Sequence, residues 1–134
     1  MPRETRAQTA PIAGYRPFLY GLMIAAILLA SPDRAWAHAV IVDSTPAANG
    51  VVAGPELEIK LRFNARIDGG RSKLTLISPD GSSRVITLAQ QTSPDLLLAN
   101  ATHLVPGKYQ LHWQVLAGDG HITQGNIPFS VVNP

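Results

Sequence analysis

Two of the four histidines in this sequence bring a second metal donor with them. His38 directly follows Ala35-Trp36-Ala37, a small-x-small triplet of the form that signal peptidases cut after. Cleavage there makes His38 the first residue, with a free α-amine and a ring nitrogen able to close a chelate on one ion. Asp119-Gly120-His121 is the second pair, a carboxylate two residues before an imidazole. Two imidazoles, one amine and one carboxylate form a nitrogen-rich, oxygen-assisted set. Such donors in tetragonal geometry favour Cu(II), which also tops the affinity order of the divalent first-row metals. This chemistry requires that two segments far apart in the sequence meet in the fold.

The other two histidines lack such company. His103 lies in Asn100-Ala101-Thr102-His103, a loop before Pro106-Gly107, and His112 lies on the polar side of an alternating segment. Both read as ordinary surface histidines. The chain has no cysteine, which excludes thiolate metal sites, including the Cys-containing blue copper centre. Its two methionines, Met1 and Met23, both precede His38. A chain starting at His38 has no sulfur ligand for Cu(I).

Residues 1–37 read as a secretory signal. Arg3, Arg6 and Arg16 make a basic start, and Phe18 to Ala30 is an apolar run too short to cross a bilayer comfortably. Ser31-Pro32-Asp33-Arg34 breaks that run before the cleavage triplet. The expected mature domain, 38–134, has 97 residues, enough for one small core. Four of the eleven basic residues and two of the nine acidic ones precede His38, leaving seven of each. A neutral balance gives no argument for nucleic acid or an anionic membrane surface as a partner.

Beyond His38 the hydrophobic period is two. Leu57, Ile59, Leu61 and Phe63 alternate with Glu58, Lys60 and Arg62, and Tyr109, Leu111, Trp113 and Val115 alternate with Gln110, His112 and Gln114. Ile127, Phe129 and Val131 repeat the pattern. These are half-buried strands. Shorter strands are expected at Ala39–Asp43, Lys73–Ser78, Arg84–Leu88 and Leu96–Ala99. Turn chemistry separates them at Pro46–Gly50, Asp68-Gly69-Gly70, Pro79-Asp80-Gly81 and Pro106-Gly107. The expected fold is all-β: about seven strands in a Greek-key barrel or sandwich. Trp113 and Tyr109 are expected in the core, the tyrosine hydroxyl at an edge.

Four segments resemble the CopC family of periplasmic copper-binding proteins. His38-Ala39-Val40, then Ser44-Thr45-Pro46-Ala47-Ala48-Asn49-Gly50, resembles the family's opening. Leu57 to Asn64 resembles its first core strand, which ends in F-S/N. Leu104 to Val115 resembles the L-x-P-G-x-Y-x-V-x-W-x-V strand. Asp119-Gly120-His121 with Gly125 and Phe129 resembles the D-G-H-x-x-x-G-x-x-x-F ending. The resemblance implies a seven-stranded Greek-key barrel, cupredoxin-like or immunoglobulin-like. It further implies one Cu(II) per chain, held by the His38 amine and ring with Asp119 and His121, and a role in copper homeostasis, resistance or transport. A CopD-like inner-membrane partner is also implied. A monomer is expected, since one chain supplies every ligand.

The sequence departs from the family pattern in two places. Some members carry a methionine-rich Cu(I) segment with a further histidine, but Arg71 to Arg84 contains neither residue type, so no Cu(I) site is expected. Some have an acidic residue two positions after the strand-ending Phe. Here that position is Ala65, flanked by Asn64 and Arg66.

Two other functions fit parts of the sequence. A histidine-brace copper monooxygenase also pairs an N-terminal His with a second His. It needs a redox cycle, whereas the carboxylate of Asp119 favours Cu(II) over Cu(I). A non-metal β-sandwich accessory module would leave the histidines incidental. No nucleophile elbow, phosphate-binding glycine loop or pair of carboxylates in catalytic register is evident, so the expectation is a copper carrier rather than an enzyme.

Overall fold

The computed structural model describes residues 38–134, and every regular element among them is a strand. The expected signal, 1–37, lies outside the described residues. One sheet contains β1 (Ile41–Thr45), β3 (Leu57–Phe63) and β6 (Leu96–Ala101), in the order β1-β3-β6. The other contains β2 (Gly50–Ala53), β4 (Ile67–Ile77), β5 (Ser83–Ile86), β7 (Gly107–Ala117) and β8 (Ile122–Val132), in the order β2-β8-β7-β4-β5. Successive strands change sheet repeatedly, the connectivity of a Greek-key sandwich.

Alternation decides which side of each strand is inside. On β3, Leu57, Ile59, Leu61 and Phe63 are buried while Glu58 and Arg62 are exposed. On β7, Tyr109, Leu111, Trp113, Val115 and Ala117 are buried in the same way. With Leu74 and Leu76 of β4 and Ile127, Phe129 and Val131 of β8 they form a single apolar cluster between the sheets. No polar or charged residue is buried among the described residues. Core stability therefore comes from apolar burial, at roughly 25 cal/mol per Å².

Eight strands are present rather than seven. The additional one is β2, which pairs in parallel with β8 from Gly50–Phe129 to Ala53–Val132. Its burial alternates only between half-buried and exposed, so an apolar period could not reveal it. The expected turn at Asp68-Gly69-Gly70 lies inside β4, which is longer than its alternating part. Between Asp68 and Lys73 the register with β7 shifts, and the glycines mark that irregularity. The Gln91 side chain replaces ladder partners there: its Oε1 accepts the Gly69 N–H (3.1 Å) and its Nε2 donates to the Ile67 carbonyl (3.2 Å). The expected strand Arg84–Leu88 is shorter because Leu88 has crossed over to bridge Ala99 in the first sheet.

One aromatic contact joins the two sheets and another lies within one of them. Trp113 packs edge-on against Phe63, with ring centroids 5.4 Å apart. Its indole lies on Gly125 of the neighbouring strand, where a Cβ would stand 2.7 Å from Cζ2. Tyr109 stacks on Phe129 at 5.5 Å, and its hydroxyl donates to the Val105 carbonyl and accepts the Val105 N–H. Gly125→Ala places a methyl inside the indole. It is expected to destabilise the domain by about 1–3 kcal/mol, because overpacking forces the ring or the strand aside. Thermal unfolding followed by circular dichroism checks this. A melting temperature equal to that of the unsubstituted protein would show that Trp113 has room to move.

Candidate metal centre

The β7–β8 pairing runs without a break to Leu116–Ile122, and the chain reverses through Gly118-Asp119-Gly120-His121. The turn is held by backbone bonds, from Gly120 N–H to the Ala117 carbonyl (2.9 Å) and from Ala117 N–H to the His121 carbonyl (2.8 Å). Gly120 has φ +86° with nothing within 4 Å of where a Cβ would be, so backbone conformation rather than space demands glycine. Gly118 donates to the Arg66 carbonyl (2.9 Å), which ties the turn to the start of β4.

Asp119 uses its two oxygens differently. Oδ1 accepts the backbone N–H of His121 at 3.0 Å, an Asx turn. Oδ2 lies 3.3 Å from His121 Nδ1. The carboxyl is held below the usual carboxylate range, chiefly by the His121 N–H and opposed by partial desolvation, with a further contribution from the His121 ring charge. The D-x-H spacing thus delivers an ionised oxygen donor beside an imidazole nitrogen, both at the rim of the sandwich.

The N-terminal segment reaches the same rim. Ala39 is 1% exposed and inserts into the core cluster. Val40 is bonded to Asn64, the residue after β3, through both of its main-chain groups. Asn64 N–H donates to the Val40 carbonyl (2.9 Å), and Asn64 Oδ1 accepts the Val40 N–H (2.8 Å). His38, two residues upstream, is exposed, and its ring stands 6.5 Å from that of His121 between centroids, at 72°. The N-terminal segment and the β7–β8 turn therefore share one rim, which carries the three residues singled out from the sequence.

As the side chains stand, no three His, Cys, Asp or Glu among the described residues close around a point that could hold a metal. Asp119 and His121 are a pair, and the His38 ring faces them across a gap. The remaining histidines are elsewhere. His112 Nδ1 lies 2.8 Å from Asn126 Oδ1 across the β7–β8 pair. His103 has φ +58°, and its ring lies beside the Thr102 hydroxyl. Ala65 contributes only a methyl. Asn64, which closes the family-like F-S/N strand ending, is not among the residues the sequence singles out as ligands. The signal that marks it is an Asn ending an alternating strand, where such side chains bond neighbouring backbone.

The described residues thus form an all-β sandwich of two sheets with His38, Asp119 and His121 at one end. A family model described as the CopC domain matches residues 41–132. The chain is similar to Protein YobA of Escherichia coli (strain K12), 33% identical over 119 residues, covering 87% of this chain and 95% of that protein. It is similar to Copper resistance protein C of Xanthomonas campestris pv. juglandis, 31% identical over 118 residues, covering 82% and 91%. Among solved structures it resembles CopC from Methylosinus trichosporium OB3b, with a TM-score of 0.64 and 29% identity over 72% of this chain and 95% of that one. The chain belongs to the CopC family.

The Asp119 carboxyl yields a pH prediction. Its folded value is depressed, so its contribution to stability is complete above the unfolded value and is lost as pH falls through the folded one. In a carbon-detected NMR titration of the metal-free protein its midpoint is expected below 3.8. A midpoint at or above that value would mean that the His121 N–H does not hold the carboxylate in solution.

Proposed function

We propose that this chain is a periplasmic Cu(II)-binding protein of copper homeostasis, resistance or transport. It binds one ion per chain through the amine and imidazole of His38, the carboxylate of Asp119 and the imidazole of His121. The observation that carries this reading is the approach of the His38 and His121 rings to 6.5 Å beside an ionised carboxylate.

The donor positions fit such an ion. Two imidazoles bound through nitrogen at about 2.0 Å have ring centroids up to roughly 6 Å apart. The exposed His38 side chain needs only a small inward movement to share an ion with His121. The 3.3 Å between Asp119 Oδ2 and His121 Nδ1 suits two donors on neighbouring positions of one coordination sphere. The fourth donor is not a side chain. In the uncleaved sequence the nitrogen of His38 is a peptide nitrogen, and removal of residues 1–37 turns it into an amine.

Donor hardness supports Cu(II) as the cargo and weighs against an oxidase, since a carboxylate ligand disfavours the Cu(I) half of a redox cycle. The absence of Met and His from Arg71 to Arg84 supports a protein without a Cu(I) site. The name of the Xanthomonas relative, Copper resistance protein C, supports the physiological role. A CopD-like inner-membrane copper transport protein is the proposed partner. Every ligand comes from one chain, which supports a monomer.

The test is Cu(II) titration of protein beginning at His38, followed by EPR, beside the same protein with one residue added before His38. One-to-one binding is expected only in the first. Loss of the amine donor should cost more than the roughly 10–100-fold typical of losing a partner outside the ligand shell. Equal binding by both forms, or binding by neither, would overturn the terminal chelate. His121→Ala is expected to weaken binding comparably. Affinity is also expected to fall at least a hundredfold between neutral pH and about pH 4, because amine and imidazole donors take up protons as pH falls. Competition titrations at the two pH values measure this, and an unchanged affinity would exclude nitrogen ligation.

A further inference from the structure

Asn64 occupies a position that neither the donor set nor the core explains. It is exposed, it follows the last residue of β3, and its side-chain oxygen accepts a backbone N–H. It engages both main-chain groups of Val40. Its N–H continues the β1–β3 ladder to the Val40 carbonyl at 2.9 Å, and its Oδ1 accepts the Val40 N–H at 2.8 Å. The partner of that side chain is a backbone donor, so the atom facing it must be the amide oxygen, whatever else the amide contacts.

The consequence concerns His38. The regular β1–β3 register begins at Ile41–Phe63 and slips before Asp43, so without Asn64 the segment ahead of Ile41 would be held by little ladder bonding. Ala39 is buried, which fixes the side on which the chain lies. The Asn64 clamp fixes its direction. Only two residues separate Val40 from the nitrogen of His38, a reach of roughly 7 Å at full extension. A terminal amine and ring on so short a tether are confined near His121 before any metal arrives. A free chain end would lose that freedom on binding, at a cost in affinity.

We infer that Asn64 is a positioning residue for the terminal copper chelate: by clamping Val40 it holds the amine and ring of His38 opposite Asp119 and His121. The inference rests on the proposed Cu(II) site and specifies what preorganises it. Asn64 binds no metal in this account. It acts through the peptide of Val40, so its effect must vanish when His38 can no longer chelate.

That dependence supplies the test. In protein beginning at His38, Asn64→Leu removes the acceptor at similar size, and Asn64→Asp retains it. Cu(II) affinity is expected to fall roughly threefold to tenfold in N64L, the range set by one net hydrogen bond. The EPR hyperfine pattern should broaden as the terminal donors become less ordered, and N64D should restore a well-defined signal. The same N64L change is then made in a His38→Ala background with one residue added ahead of position 38, which removes both terminal donors, and there it should have no further effect on copper binding. A drop of similar size in both backgrounds would mean general loosening of the fold and would overturn the positioning role. Wild-type affinity and spectrum in N64L would overturn it directly. If His38→Ala alone leaves binding intact, the site itself is wrong. If His38→Ala abolishes tight binding while N64L does not weaken it, only the role of Asn64 fails. Amide hydrogen exchange of metal-free protein gives an independent check: Val40 should exchange faster in N64L, and unchanged protection would show that no clamp exists.

Discussion

The contact on which the rest of the structure depends is that of Trp113 with Phe63 and Gly125. Trp113 and Gly125 are cross-strand neighbours in one sheet, while Phe63 belongs to the other. The bare α-carbon of Gly125 lets the indole lie flat on its own sheet and present an edge to Phe63. That contact sets how the ends of the sheets line up. Phe63 is followed at once by Asn64, which holds the N-terminal segment. Gly125 lies four residues after His121, on the strand that leaves the Asp119–His121 turn. This aromatic contact thus lies between the two pieces of chain that the proposed copper site needs.

The local devices at that rim are each simple. A glycine with positive φ closes the turn, and an Asx bond orients the Asp119 carboxylate and keeps it ionised. An alanine side chain buried in the core anchors residue 39, and an asparagine clamps residue 40. All of them act on backbone or carboxylate, which leaves the imidazole rings exposed. A preorganised but exposed donor set suits the proposed carrier, since a partner can approach the ion. An enclosed set would favour retention over transfer. The outer ladder of the domain plays a different part. Gln91 bonds the backbone of β4 where its glycines interrupt the register, next to Arg66, whose carbonyl accepts from the turn.

Much of the fold was legible because a two-sided sheet writes its burial into the sequence as a period of two. β3, β7 and the latter half of β8 were visible in that way, as were the core positions of Trp113 and Tyr109. β2 was hidden because its four residues lie at a sheet edge and none is fully buried. The first half of β4 was hidden because its glycines read as a turn, whereas pairing with β7 and two bonds from the side chain of Gln91, remote in sequence, hold a strand there. The expected site residues were legible from donor chemistry, since a histidine after a cleavage triplet and a D-x-H turn each suggest a ligand pair.

By itself, then, the sequence determined an all-β domain, the absence of cysteine and methionine from residues 38–134, and the three oxygen- and nitrogen-bearing residues on which the proposed Cu(II) site rests. These follow from composition, from periodicity and from donor hardness, which are properties of residues and their near neighbours. Only the tertiary structure decided that the His38 and His121 rings stand 6.5 Å apart, and that Asn64 bonds both main-chain groups of Val40 beside them. Those facts depend on which strands pair and in what register. Register is set by packing among residues remote in sequence, so no local pattern carries it.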